Sequence, residues 1–280
     1  MRFILSGLEL LLKRKFSNIR NVAIIAHVDH GKTTLVDCLI KSCIDGPLAS
    51  DRLLDSSDIE KERGITILSK STFVEYKGHK INIVDTPGHA DFGGEVERAL
   101  SLVDGAILVV DATEGPMSQT RYVLEKAIAR DLKFIVVINK VDRETSRIEA
   151  VESEIIDLFL HLNAKDFQLQ FPIIYSSAKL KWASHLCPKN NKELLPNSMN
   201  PLLDELIDKI PPPKIPASDD FSMLVNSTER IPFVGKCAFG KVHTGNLKVG
   251  DNLSMFDSLK SKKSFGIVEK IFSKRGLENV

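Results

Sequence analysis

The segment Ala26-His-Val-Asp-His-Gly-Lys-Thr33 directly follows the apolar run Asn21-Val-Ala-Ile-Ile25, and Leu35-Val-Asp-Cys-Leu-Ile40 continues beyond it with helical character. A strand, a phosphate-binding loop and a helix are predicted there. Gly31 and its neighbours can turn backbone N–H groups inward, where the helix N-terminus adds partial positive charge. Lys32 then neutralises terminal phosphates and Thr33 holds Mg²⁺. Asp29, His30, Gly31, Lys32, Thr33 and Thr34 are therefore the predicted phosphate-binding set. Ala26 stands where such loops usually carry their first glycine.

Three further short motifs sit where strands are expected to end. Asp85-Thr-Pro-Gly-His89 offers a carboxylate for a Mg²⁺-bound water and a Gly88 N–H for a γ-phosphate. Asn139-Lys-Val-Asp142 combines an amide, a long aliphatic stem and a carboxylate. Asp142 can accept from the N1–H and 2-amino group of guanine, a donor pair that adenine lacks, so GTP and GDP are expected rather than adenine nucleotides. Lys140 is expected to lay its stem on the base, and Asn139 to tie the base loop to the phosphate loop. In Ser176-Ser177-Ala178-Lys179 the Ala178 N–H is expected to reach the guanine carbonyl. Each motif alone is also ordinary turn and cap chemistry. Their order and shared placement at strand ends are what carry the reading.

Between the first two motifs lies Glu60-Lys-Glu-Arg-Gly-Ile-Thr66-Ile, polar and broken by Gly64. A loop that orders when a γ-phosphate is present and relaxes after hydrolysis is expected, with Thr66 as a second Mg²⁺ ligand. The metal set is thus Thr33, Thr66 and Asp85.

Positioning these loops requires a particular scaffold. Apolar runs rich in Val and Ile at 22–26, 81–84, 106–110, 134–138 and 172–175 read as strands, and 95–102, 119–130, 147–162 and 202–210 as helices. Near-continuous apolar strands alternating with helices imply an α/β fold with a mostly parallel sheet covered on both faces. Residues 72–76, with the turn at Lys77-Gly-His-Lys80, read as an antiparallel edge hairpin. Periodicity lapses over 181–200. Residues 17–210 form the expected nucleotide domain, and 211–219, opening on Pro211-Pro-Pro213, a linker. In 220–280, short strands at 221–225, 234–239, 241–246 and 253–256 predict a small, incomplete β-barrel.

The 280 residues exceed one average domain and, at 43% hydrophobic, can fill at least one sizeable core, and a formal net charge of +1 makes no global demand for nucleic acid. Lys260, Lys262 and Lys263 are a local basic patch, read as a solvated face. Cys38, Cys43, Cys187 and Cys237 form no metal-binding pair and read as reduced thiols. The apolar stretch Phe3 to Leu12 is too short to span a bilayer, so no membrane partner is expected. Residues 1–16, basic and nearly free of acids, read as a mitochondrial transit peptide with a cut after Phe16; a frayed extension of a cytoplasmic protein is the alternative.

Three longer stretches carry a resemblance: Leu54-Asp-Ser-Ser-Asp-Ile-Glu-Lys-Glu-Arg-Gly-Ile-Thr-Ile-Leu68, Asp85-Thr-Pro-Gly-His-Ala-Asp-Phe-Gly-Gly-Glu-Val-Glu-Arg98 and Gly115-Pro-Met-Ser-Gln-Thr-Arg121. Through them residues 19–280 resemble the translational GTPases, and most closely the BipA/TypA family. Those proteins also carry Ala at the first loop position. The resemblance implies a P-loop NTPase fold, a monomer and a ribosome partner in translation or ribosome assembly. It implies that His89 positions the attacking water, with Lys32 and Thr66 completing the catalytic set, Val28 and Ile65 gating His89, and Asp29 aiding charge neutralisation. The Gly93-Gly94 pair points away from a tRNA-delivering factor. A rival reading is a guanine-nucleotide-binding module without productive turnover, because the family's later domains are absent from this chain.

Overall fold

The computed structural model describes residues 16–43, 70–87, 93–188, 197–214, 218–231, 234–257, 261–272, 274–275 and 278–279. The first strand, β1 (Ile19–Ala26), runs into the phosphate loop and then α1 (Lys32–Cys43). There follow β2 (Lys70–Tyr76), β3 (His79–Asp85), α2 (Gly93–Ser101), β4 (Gly105–Asp111), α3 (Ser118–Ala129) and β5 (Lys133–Asn139). Then come α4 (Ile148–His161), α5 (Asp166–Leu169), β6 (Ile173–Ser177), β7 (Trp182–Ser184) and α6 (Asn200–Lys209).

One seven-stranded sheet takes the order β2-β3-β1-β4-β5-β6-β7. The interior pairs are parallel, while β2 and β7 are antiparallel edges. The expected parallel sheet and edge hairpin are both present. The second edge, β7, falls where periodicity lapses, because three residues are too few to display an alternation.

Successive residues of a strand point to opposite faces, and here both faces are apolar. Ala23 and Ile25, Ala106, Leu108 and Val110, and Phe134, Val136 and Ile138 pack beneath α2, α3 and α4. Val22, Ile24 and Ala26, Ile107 and Val109, and Ile135 and Val137 pack beneath α1 and α6. Phe159 of α4 stands edge-on to Phe134, ring centroids 5.1 Å apart, and also contacts Phe171 at 4.6 Å. Gly105 lies tight against its neighbours: a Cβ there would lie 2.4 Å from Ile210 Cδ1 and 3.1 Å from Lys133 O, so Ile210 would have to move.

Beyond Pro211-Pro-Pro213, antiparallel ribbons follow: β8 (Ser222–Ile231) with β9 (Gly235–Thr244), β10 (Asn252–Asp257) with β11 (Lys262–Ile267), and the short β12 (Lys274–Arg275) with β13 (Glu278–Asn279). They are consistent with part of a β-barrel. Two separate strands were expected over 234–246, but β9 runs unbroken through Gly240. A Cβ at Gly240 would lie 1.9 Å from Leu224 O, beside the register shift between Val225 and Ser227. This glycine permits a close backbone approach rather than a turn. Strand β11 lay outside the expected set.

Polar contacts tie β9 to the sheet at the end away from the loops. Asn82 Nδ2 donates to Asn21 Oδ1 at 2.7 Å, Asn21 Nδ2 to Asp104 Oδ2 at 2.6 Å, and Lys241 Nζ to Asp104 Oδ1 at 3.1 Å. Among the described residues no helix is long and apolar enough to cross a membrane, and none of the four cysteines forms a disulfide. Burial pushes the Cys43 thiol up to about 11, which keeps it protonated and unreactive.

Candidate functional site

Parallel strands in register end together. Ile24 of β1 stands level with Asp85 of β3, Ala26 with Val109 of β4, Asp111 with Asn139 of β5, and Asn139 with Ser176 of β6. The loops that leave these strands therefore share one rim, where open α/β sheets bind ligands.

Two residues of the 26–33 loop take left-handed backbone conformations. Asp29 takes φ 64° and Gly31 φ 90°. A Cβ at Gly31 would lie 2.4 Å from Asn139 Nδ2, so this glycine is required for conformation and for space alike. Asn139 Nδ2 donates to His30 O at 3.0 Å, while its Oδ1 accepts from Ser176 Oγ at 3.1 Å and from the Ala178 N–H at 3.0 Å. One buried amide thus joins the phosphate loop to the 176–179 loop. Cys38 of α1 donates its thiol proton to Ala178 O at 3.0 Å. The Ala178 N–H, expected to face a base, is engaged with Asn139; offering it to a carbonyl requires Asn139 to yield that bond.

Lys32 Nζ lies 2.7 Å from Asp85 Oδ1 and donates to Thr86 O, with both Lys32 and Asp85 buried. Thr86 Oγ1 in turn donates to Ile24 O at 2.6 Å, which fastens the end of β3 to β1. Thr33 is half-buried in the first turn of α1, and Thr34 is exposed. Ser177 and Ala178 are buried and Lys179 is exposed. Ser177 Oγ accepts the Leu180 N–H at 3.2 Å. Asp142 is exposed on the turn after β5. Thr66, Gly88 and His89, the gate residue Ile65, Lys260 and the stretch 54–68 lie outside the described residues, as does most of segment 1–16.

The geometry adds residues that the motifs alone did not single out. Lys140, at φ 60°, turns its ammonium back to Asp29 O and to Asp111 Oδ2, the latter at 2.7 Å. Asp111 is wholly buried at the end of β4 and also accepts the Thr113 N–H at 2.7 Å. Burial pushes the Asp111 carboxyl up, but the Lys140 ammonium and the Thr113 N–H, with Arg143 at 3.4 Å, outweigh it and hold it below its usual range. His30 is fully buried, its Nε2 3.3 Å from Glu114 Oε2 and its ring 5.2 Å from that of His27. Burial, with help from His27, lowers its pKa despite the opposing pull of Asp111 and Glu114. Asp111 could have been found from its place at a strand end, the placement it shares with Asp85 and Asn139.

Taken together, the described rim defines an α/β domain whose loops are built around the glycine-turned segment 26–33, expected to bind phosphate, and the Asn139-Lys-Val-Asp142 turn, expected to meet a base. The family model for the elongation factor Tu GTP binding domain matches residues 17–212, and the chain belongs to that family. It is 45% identical over 267 residues to the large ribosomal subunit assembly factor BipA of Bacillus subtilis, covering 94% of this chain and 43% of that protein. With the protein of the same name from Salmonella typhimurium the identity is 46% over 266 residues, with the same coverage. The chain spans less than half the length of these curated relatives. Among solved structures, translation elongation factor SelB of Methanococcus maripaludis, in complex with the GTP analogue GPPNHP, superimposes with a TM-score of 0.62. That match has 27% identity and covers 85% of this chain and 44% of the other. The resemblance to BipA-type translational GTPases read from the sequence is therefore matched by relatives that bear the BipA name.

Proposed function

We propose that the chain binds GTP and GDP and hydrolyses GTP as the switch portion of a BipA-like factor that works on ribosomes, in translation or ribosome assembly. The observation that carries this reading is the Asn139 side chain, bonded at once to the phosphate loop at His30 O and to the 176–179 loop through Ser176 Oγ, beside an Asp142 left exposed to accept from a base. The names of the relatives support the ribosomal partner.

Phosphoryl transfer depends on positioning and charge stabilisation more than on covalent chemistry from the protein. Lys32 and the N–H groups around Gly31 bind the phosphates, and the 139–142 and 176–179 loops hold the base. The hydroxyl of Thr33 and the carboxylate of Asp85 are hard oxygen donors that suit Mg²⁺, with Thr66 as a further donor. When bound, the ion would draw charge from the transferring phosphoryl group. Gly88 would hold the γ-phosphate, and His89 would orient the attacking water once a ribosome brings it inward.

Segment 1–16 supports delivery to mitochondria, while the bacterial source of the relatives supports action on bacterial-type ribosomes. A mitochondrial matrix satisfies both, and the cytoplasm of a bacterium satisfies the second alone. A reporter fused to residues 1–20 distinguishes them: organellar signal supports delivery, and diffuse signal removes it.

The test of function is GTP turnover by the purified chain with and without bacterial-type ribosomes, alongside His89→Ala. The reading expects ribosome-stimulated turnover that His89→Ala abolishes while GTP affinity is kept. Nucleotide binding without stimulation would make the chain a guanine-nucleotide module instead.

A further inference from the structure

Arg147, the residue immediately before α4, bonds neither the phosphate loop nor the base loop, yet it grips the loop after β4 along its backbone. Its backbone N–H donates to Ala112 O at 2.9 Å, its Nε to Thr113 O at 2.7 Å and its Nη2 to Glu114 O at 2.7 Å. A single residue thus reads three consecutive carbonyls. Both Nη atoms also bond the carboxylate of Glu154, two turns along α4, with Nη2 to Oε2 at 3.1 Å. This pairing holds the guanidinium charge firmly, raising its pKa, and sets its plane.

Gly115 closes the arrangement. It takes φ 78°, and a Cβ there would lie 2.3 Å from Glu154 Oε2 and 2.8 Å from Arg147 Nη2. A side chain there would be strained by the backbone and would displace the ion pair. Its N–H returns to Asp111 O at 2.9 Å, completing a tight loop over 111–115.

Both ends of that loop bear on the nucleotide rim. At one end Asp111 fixes the Lys140 ammonium, and through it the stem expected to lie on the base. At the other Glu114 stands against His30 within the phosphate loop. The Arg147–Glu154 pair is itself about two-fifths exposed on each side, and an ion pair so placed adds little to global stability. Its carbonyl contacts, by contrast, converge on one loop.

We propose that Arg147 is a positioning residue for guanine-nucleotide binding: it fastens loop 111–115 so that Asp111 holds Lys140 and Glu114 stays packed against the phosphate loop at His30. The inference rests on the guanine-nucleotide reading above. Arg147 acts through the loop and touches no reacting atom. Because it contacts neither Asp142 nor the 176–179 loop, its loss should weaken GDP and inosine diphosphate equally.

The test is dissociation of a fluorescent GDP analogue from the full chain, wild type against Arg147→Ala, at a temperature where circular dichroism shows both folded. Arg147→Ala should release GDP about tenfold faster, as loss of charge-assisted hydrogen bonds at one remove from the ligand would give. The preference for GDP over inosine diphosphate should be unchanged, and Glu154→Gln should show a smaller effect in the same direction. A merely structural role would lower the melting temperature and leave the release rate at wild-type value, and that result overturns the inference. A changed base preference would overturn it too, since it would mean that the base loop itself had moved. If Arg147→Ala does not fold, Arg147→Lys decides in the same assay, because lysine keeps the stem but cannot serve the carbonyls and Glu154 together. If the wild-type chain binds no GDP, the functional reading falls, a result distinct from a wild-type chain that binds and an Arg147→Ala variant that binds equally well.

Discussion

Lys32 Nζ and Asp85 Oδ1 lie 2.7 Å apart, joining the residue proposed to bind phosphates to the residue proposed to hold magnesium. Asp85 is wholly buried at the end of β3 and Lys32 is nearly so. Removing one member of a buried pair leaves the other charge uncompensated, which costs about 3–5 kcal/mol. Lys32→Met should therefore lower the unfolding free energy of the nucleotide-free protein by about 3 kcal/mol in a urea titration. A loss under about 1 kcal/mol, the range of exposed pairs, would mean that the pair is solvated and does not brace the rim.

A Cβ at Gly31 would lie 2.4 Å from Asn139 Nδ2, and its φ of 90° is itself unfavourable for alanine. Gly31→Ala should push Asn139 off His30 O and cost about 1–3 kcal/mol in backbone strain and an unpaired amide. Titration with a fluorescent GDP analogue should show binding weakened at least tenfold in a protein that still melts cooperatively. Wild-type affinity would show that the bridge between the two loops does not matter for the ligand.

Asp142 is exposed next to Lys140, with its carboxylate available to a ligand. An amide there can donate to a base carbonyl, so Asp142→Asn should exchange guanine for xanthine, whose C2 carries oxygen in place of the amino group. The unmatched donors of guanine should cost GDP about 1–3 kcal/mol. Isothermal titration with GDP and xanthosine diphosphate measures both changes. A variant that weakens both alike would remove Asp142 from the base site.

His30 gives the fold an acid sensitivity of defined sign. Its folded pKa is lowered by burial, so below its ordinary value of about 6.5 the unfolded chain takes up a proton that the folded one resists. Stability of the nucleotide-free protein should fall as pH drops below about 6.5 and level off beneath the folded value. Asp111, whose folded pKa is lowered, contributes its own loss only in the acid range below about 4. Urea midpoints across pH 5 to 7.5 in wild type and His30→Gln test this, and the same slope in both would assign the sensitivity elsewhere.

The sheet was legible because its strands are mostly Val- and Ile-rich runs, with β3, β4, β5 and β6 ending at Asp85, Asp111, Asn139 and Ser177. Their motifs follow in an order that only one rim accommodates. Strand β7 was not legible, since Trp182–Ser184 is set by pairing with β6 rather than by a pattern of its own. Gly240 misled for the opposite reason: glycine in sequence reads as a break, and here it marks a close approach to Leu224 O. Within the site, residue types foretold which loops would meet. Which atoms pair is a tertiary outcome, as the bond from Ala178 to Asn139 and the grip of Arg147 on residues 112–114 illustrate. Neither Arg147 nor Glu154 stands in a motif; they matter through a loop that is distant in sequence from α4.

Guanine-nucleotide recognition is measured most directly by competition against a fluorescent GDP analogue bound to the purified chain in Mg²⁺, with GDP, GTP and ADP as competitors. Displacement by GDP and GTP at concentrations where ADP has no effect is the predicted result. Failure of the analogue to bind, or displacement by ADP as readily as by GDP, would contradict guanine-nucleotide recognition by this rim.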